Sequence, residues 1–234
     1  MTLSLLGLLW VVVMVSAMVQ GTVGIGFALI VAPVFAMVDP VYLPVTLLVL
    51  MLPLNAHVAW RERTAIDWRG TGWITLGRFL GTFAGLALLL ALSVRQMEIA
   101  VGLFTILAAL VALFAPPFMP RRTSTTSVGL FTGISETATG IGGPPLALLY
   151  QHAPGPRLRA TVAACFLIRE VFSLIVLALG GRVGRDHLVA AALLIPAVIL
   201  GSFLSRYAHA HIPAARLRLA VLLLSILGGL VLIA

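Results

Sequence analysis

Apolar residues in this chain come in long blocks rather than in short alternating runs. The blocks fall at about 3–37, 41–60, 72–92, 97–117, 126–150, 160–179, 187–207 and 214–233. A helix needs roughly 20 mostly apolar residues to cross a hydrocarbon layer of about 30 Å. The pattern therefore predicts an all-α polytopic membrane protein with about eight hydrophobic segments and no separate soluble domain. Polar residues gather in the connections: Arg61-Glu62-Arg63 to Arg69, Arg95, Arg121-Arg122, Arg157 to Arg159, Arg182 to Asp186, and Arg206 to Arg218. Trp60, Trp68 and Trp73 flank the second connection, where indole rings anchor helix ends among the headgroups. Met1 to Trp10 carries no basic residue and the apolar stretch runs past signal-peptide length, so the first block is expected to be retained.

The first block is too long for one crossing and short for two. It is interrupted at Gly21-Thr22-Val23-Gly24-Ile25-Gly26, and the fifth block has a matching interruption at Thr137-Ala138-Thr139-Gly140-Ile141-Gly142-Gly143-Pro144-Pro145. Gly24-Ile25-Gly26 and Gly140-Ile141-Gly142 lie 116 residues apart, about half the chain, and Gly81 and Gly85 pair with Gly201 and Ser205 at an offset of 120. Similarity that stays in step across both halves predicts a duplication, with a first membrane repeat over 1–119 and a second over 120–234.

Arginine placement bears on how the halves are oriented. If all eight segments cross simply, seven turn arginines face six, and that near-balance specifies no orientation. If segments one and five are instead broken, re-entrant hairpins, each half has three full crossings and the halves are inverted. Arg61, Arg63, Arg69, Arg121, Arg122, Arg157, Arg159, Arg206, Arg216 and Arg218 then share one side, against Arg95, Arg182 and Arg185. Such a bias fixes orientation, so the 61–69 turn is expected to be cytoplasmic.

Composition agrees with the segment pattern: 61% of residues are apolar, 9% are charged, and the mean hydropathy is +1.15. The net charge of +8 would point to nucleic acid in a soluble protein. Here the basic residues are all arginine and lie mostly in turns, with no contiguous basic face, so nucleic acid is not an expected partner. The single cysteine, Cys165, lies mid-segment and excludes intrachain disulfides and cysteine metal cages. The histidines, His57, His152, His187, His209 and His211, have no metal-ligand spacing, and no nucleotide-binding loop is present, so no cofactor or metal is expected.

The chemistry lies where polar groups sit at membrane depth. Irregular backbone there is tolerated only where protein or water covers it, and two matched breaks are the usual pointer to a midplane transport site. Gly24, Gly26, Gly140, Gly142 and Gly143 expose backbone N–H groups, and Pro144 suits a helix start whose positive end favours a small anion. The spacing of Gly77, Gly81 and Gly85 fits helix packing better than a site. Glu136 precedes the second break as Gln20 precedes the first, and an intramembrane carboxylate marks a cavity or proton path by default. Arg169 and Glu170 lie in the middle of the sixth segment, with Asn55 near Glu170 at the repeat offset. Arg169 is a candidate ligand for an oxyanion, or else half of a buried ion pair with Glu170 or Glu136. Glu136 and Glu170 are candidate proton-coupling groups, Glu136 having a structural cap as its alternative. Arg78 is expected to snorkel to the 61–69 face.

Gln20-Gly21-Thr22-Val23-Gly24-Ile25-Gly26 with Pro33, and Thr139-Gly140-Ile141-Gly142-Gly143-Pro144-Pro145, resemble the two motifs of the TauE/SafE family of membrane transporters. The resemblance covers essentially the whole chain. It implies a duplicated bundle in a bacterial inner membrane that moves sulfite, organosulfonates or related small anions, commonly outward. Phe27 departs from the family's glycine run and implies a narrower or asymmetric first half-site. Taken together, these readings give a secondary transporter of a small anion, with substrate-binding residues Gln20, Gly24, Gly26, Asn55, Gly140, Gly142, Gly143, Pro144 and Arg169. The alternatives are a passive anion channel and a membrane-embedded enzyme or assembly factor.

Overall fold

The computed structural model describes residues 3–114, 122–139, 146, 149, 150, 153–211 and 214–233. Among these the chain is helical: α1 (Leu3–Val23), α2 (Phe27–Val38), α3 (Val45–Arg61), α4 (Trp68–Ala91), α5 (Val94–Phe114), α6 (Arg122–Thr139), α7 (Gly155–Leu179), α8 (Arg185–His211) and α9 (Ala214–Ile233). Leu5–Val23, Gly155–Leu179 and Arg185–Ala208 are long and apolar enough to cross a membrane, and Phe27–Val38, Val45–Arg61 and Glu98–Val111 are shorter apolar helices. Exposed large side chains such as Leu80, Phe83, Ile199 and Phe203 form an outer surface that water would not favour and lipid would.

Local chemistry sets the helix ends. The first apolar block divides into α1 and α2 because Gly24 (φ 96°) and Gly26 (φ 130°) adopt backbone angles that L side chains rarely reach. The second block begins with a short 3-10 turn, Pro40–Tyr42, in which Asp39 accepts from the Val41 N–H, and its helix starts only at Val45. The third starts at Trp68 instead of 72, because the Asp67 carboxylate caps it by accepting from the Gly70 N–H at 3.1 Å. Pro156 in the first turn of α7 carries that helix back to Gly155 instead of 160. Of the break expected over Thr137 to Pro145, Thr137 to Thr139 are instead the last residues of α6, and Gly140 to Pro145 lie outside the described residues.

Without a hydrophobic drive between helices in lipid, close backbone approach supplies much of the packing. The closest pair is α4 and α6. A Cβ on Gly77, Gly81 or Gly85 would strike the carbonyl of Thr126, Leu130 or Ile134, and Gly129 and Gly133 face the Ile74 and Arg78 carbonyls in return. A second close crossing joins α1 to α8, with Gly201 against the Met14 carbonyl and Gly21 against the Ser205 side chain. Around these, α5 packs on α9, α3 on α7 and α8, α4 on α7, and α2 on α9. At the 61–69 turn Arg159 grips Glu62 with Nε and Nη2 at 3.1 and 2.7 Å, tying the end of α3 to α7. Trp60 and Trp68 are exposed beside this turn, as interfacial anchors should be.

Candidate functional site

The break between α1 and α2 leaves the first N–H groups of α2 without partners in their own helix. Gln20, in the last turn of α1, meets part of this need: its Oε1 accepts from the Phe27 N–H at 3.1 Å. Its Nε2 donates to Asn55 Oδ1 at 2.9 Å, and Asn55 Nδ2 donates to Glu170 Oε1 at 2.7 Å. An unbroken line of buried hydrogen bonds thus runs from the start of α2 through α1 and α3 to the middle of α7. Gln20, Asn55 and Glu170 are almost fully buried.

Beside this line lies a charge cluster. Arg169 Nη2 meets Glu136 Oε1 at 2.5 Å, and Arg78 Nη2 meets Glu136 Oε2 at 3.5 Å, both as close charge contacts outside aligned hydrogen-bond geometry. Arg78 also donates to the Cys165 carbonyl at 2.7 Å and to Thr132 Oγ1 at 3.1 Å, with its guanidinium 5.0 Å from the Phe166 ring centre. Arg169 Nη1 donates to Ser173 Oγ at 3.1 Å, and Ser173 in turn meets Thr137 Oγ1. Burying an ion pair is costly unless its remaining donors and acceptors are met. Arg169 Nε is not: among the described residues it has no hydrogen-bond partner, and neither has the neighbouring Glu170 Oε2. A cavity of about 10 Å³ opens next to the cluster, bordered by Gln20, Gly26, Met51, Glu136 and Phe166 among others. That is room for about one water, so a larger anion requires the surrounding helices to move.

These placements sort the candidate residues. Gln20 and Glu136 border the cavity, and Asn55 and Glu170 join Gln20, and Arg169 joins Glu136, behind them. Gly26 borders the cavity too, but Gly24 supplies no free donor, because its N–H is used by the Gln20 carbonyl at 2.7 Å. Gly24 serves the bend and packs under Leu158 and Arg159. Gly140, Gly142, Gly143 and Pro144 lie outside the described residues. Of the two readings of Arg169, the buried pair with Glu136 is present, and its Nε, without a partner among the described residues, leaves a donor over.

Arg78 is the correction. It does not snorkel: it is 1% exposed and points into the cluster. The reason is the earlier start of α4, which puts Arg78 ten residues past Trp68, about 15 Å along the axis at 1.5 Å per residue. That depth is half of a typical hydrocarbon layer of about 30 Å, too far for the head to reach water. Asp67, a capping aspartate just before the apolar run, was the signal in the sequence. Ser173 and Thr137, ordinary small polar residues on helices, carried no such signal.

A model of the family described as Sulfite exporter TauE/SafE matches residues 9–232, nearly the whole chain. The chain belongs to the TauE/SafE family. No curated protein and no solved structure matches it. As a TauE/SafE protein it is a multi-pass membrane transport protein of the sulfite-exporter kind, which points to a small anion as cargo. Burial of two arginines and two glutamates at the centre of a TauE/SafE bundle fits that role, since ionisable groups at membrane depth are retained where function requires them.

At the membrane edge, Asp67 shows how the 61–69 turn is organised. Burial works against its charge, but the Gly70 N–H, Arg157 and Tyr150 outweigh that penalty and hold its carboxyl below the ordinary range. Arg157 Nη2 lies 3.1 Å and Tyr150 Oη 3.3 Å from Asp67 Oδ2, so the cap of α4 is also a tie to α7.

Proposed function

We propose that this protein exports sulfite, an organosulfonate or a related sulfur oxyanion across a bacterial inner membrane, as a proton-coupled secondary transporter with Arg169 as the principal anion ligand. The observation that carries the proposal is Arg169 itself: a fully buried guanidinium paired with Glu136, which borders the cavity, and with no hydrogen-bond partner for its Nε among the described residues. A guanidinium fork suits planar or pyramidal oxyanions. Glu136 occupies the fork until substrate arrives, so carboxylate and anion compete for the same donors.

Charge balance supports the coupling. Arg78, Arg169, Glu136 and Glu170 sum to zero when all are ionised. A monovalent anion entering alone leaves a net negative charge in a medium that penalises it, whereas an anion entering with one proton on Glu136 or Glu170 leaves the balance unchanged. Gln20, Asn55 and Gly26 complete the first half of the site in this reading; in the second, Gly140, Gly142 and Gly143 are read as the equivalent backbone donors and Pro144 as a helix start.

The two repeats, 1–119 and 120–234, are read as inverted halves that rock about this site. Support comes from contacts that survive exchange of the halves. The pair α1 and α8 maps onto α6 and α4, α3 and α8 map onto α7 and α4, while α3–α7 and α5–α9 map onto themselves. Residues follow: Gly81 lies on the Leu130 carbonyl, and their counterparts Gly201 and Met14 make the same contact. The arginine bias supports a cytoplasmic 61–69 turn.

Sulfite flux into proteoliposomes under an imposed pH gradient tests the proposal. Flux that follows the gradient, falls at least tenfold in Arg169→Ala and loses its pH response in Glu136→Gln is expected. Flux indifferent to the gradient would instead favour a passive anion channel.

A further inference from the structure

The line of hydrogen bonds from Phe27 to Glu170 has a direction that chemistry fixes. A backbone N–H can only donate, so the Gln20 atom facing Phe27 at 3.1 Å must be its carbonyl oxygen. The Gln20 amide then has only its NH2 left for Asn55, which must present Oδ1 at 2.9 Å. Asn55 in turn has only its NH2 for Glu170, at 2.7 Å. The Glu170 oxygen at the end of the line, Oε1, is therefore an acceptor whatever the charge of the group. The other oxygen, Oε2, is buried with no hydrogen-bond partner among the described residues.

The geometry points to a one-way amide relay in which the proton that Glu170 takes up is confined to Oε2, and in which Gln20 and Asn55 are positioning residues tying Glu170 to the start of α2. This deepens the proposed coupling and rests on it for its role in transport. The relay itself does not depend on transport. It joins the two halves: Gln20 and Asn55 come from the first, Glu170 from the second. The charged groups that face Glu170 are Arg169 on its own helix, Glu136 from α6 and Arg78 from α4. From α3 it meets the uncharged amide of Asn55, which in turn meets that of Gln20 on α1. Any change that reverses one amide must reverse the next, and the reversal ends on Glu170.

Gln20→Glu makes that reversal. The carboxylate introduced still accepts from the Phe27 N–H, but it can no longer donate to Asn55. Asn55 must turn its NH2 toward it and offer Oδ1 to Glu170, which satisfies the contact only by carrying a proton on Oε1. The variant should therefore hold Glu170 protonated to higher pH. Infrared spectroscopy of the full chain in lipid reads this directly, as the carboxylic-acid C=O band that disappears in Glu170→Gln. In the native protein the band should be lost as pH rises. In Gln20→Glu its midpoint should move up by at least one pH unit, and adding Glu170→Gln should abolish it. An unshifted midpoint, a band that survives in the double variant, or a native band that does not titrate would overturn the relay. If Gln20→Glu does not fold, Asn55→Asp places the same demand for one proton on Glu170 and is read the same way. Because the readout needs no flux, a failed relay and a failed transport reading are separated: a shifted band with no sulfite flux keeps the relay and removes the transport role.

Discussion

Arg78 and Arg169 reach Glu136 from two helices, α4 and α7, and the three side chains are close to fully buried. Removing one member of such a group leaves a charge without compensation, which typically costs about 3–5 kcal/mol. Arg78→Leu should therefore destabilise the protein by about that amount, read as unfolding in lipid nanodiscs, because Glu136 and the Cys165 carbonyl both lose a partner. A change below about 1 kcal/mol would mean that Glu136 is neutral in the resting protein and the pair is not charged. At the membrane edge, Asp67 has a folded pKa below its ordinary 3.8, so its stabilising effect is full above 3.8 and is lost as pH falls through the lowered value. Asp67→Asn should remove that part of the acid-side loss, and unchanged acid sensitivity of the unfolding midpoint would count against the ties to Gly70, Arg157 and Tyr150.

At the scale of elements, the glycine-lined crossing of α4 and α6 sets how deep the arginine of one helix lies beside the glutamate of the other. Gly81→Leu places a side chain where the Leu130 carbonyl already stands, so the helices must separate. Overpacking of this kind costs about 1–3 kcal/mol, and here it also pulls Arg78 from Glu136. Gly72→Ala, on the same helix with nothing within 4 Å of the added methyl, should be nearly neutral. Comparing thermal unfolding of the two variants separates tight packing from helix propensity. Equal shifts would refute the close-contact account. The break between α1 and α2 belongs to the same scale: it was legible because two glycines interrupt an otherwise uniform apolar block, and nothing else in the block explains its length.

At the scale of the molecule, the arrangement of halves makes a prediction about sides. With the halves inverted, Arg69→Cys should react with an impermeant thiol reagent from the cytoplasm and Arg182→Cys only from the opposite face. Both positions are exposed, and the native Cys165 is buried, so background labelling should be low. Labelling of both from one side would rule out the inverted layout. Co-expression of separate chains 1–119 and 120–234 should restore sulfite flux, since the closest crossings, α4–α6 and α1–α8, are made between the halves rather than within them.

Legible in the sequence alone were the class of the protein, the approximate position of the apolar segments that the described residues cover, the glycine break in the first of them and the small set of polar groups at depth. These are local properties: hydropathy over about 20 residues, the conformational freedom of glycine, and the cost of a charge in hydrocarbon. The repeat offset matched Asn55 to the neighbourhood of Glu170 along the chain, but their hydrogen bond at 2.7 Å is a product of helix packing. Only the tertiary structure decided which charges meet. Whether Arg78 reaches water or Glu136 depends on where α4 begins and how closely α6 approaches it. The use of the Gly24 N–H by Gln20, and the direction of the line ending on Glu170, depend on atoms from three helices meeting within hydrogen-bond distance. Hydrophobic pattern fixes depth along a helix to about a turn, and it carries no information on the angle around the helix axis that brings two particular side chains together.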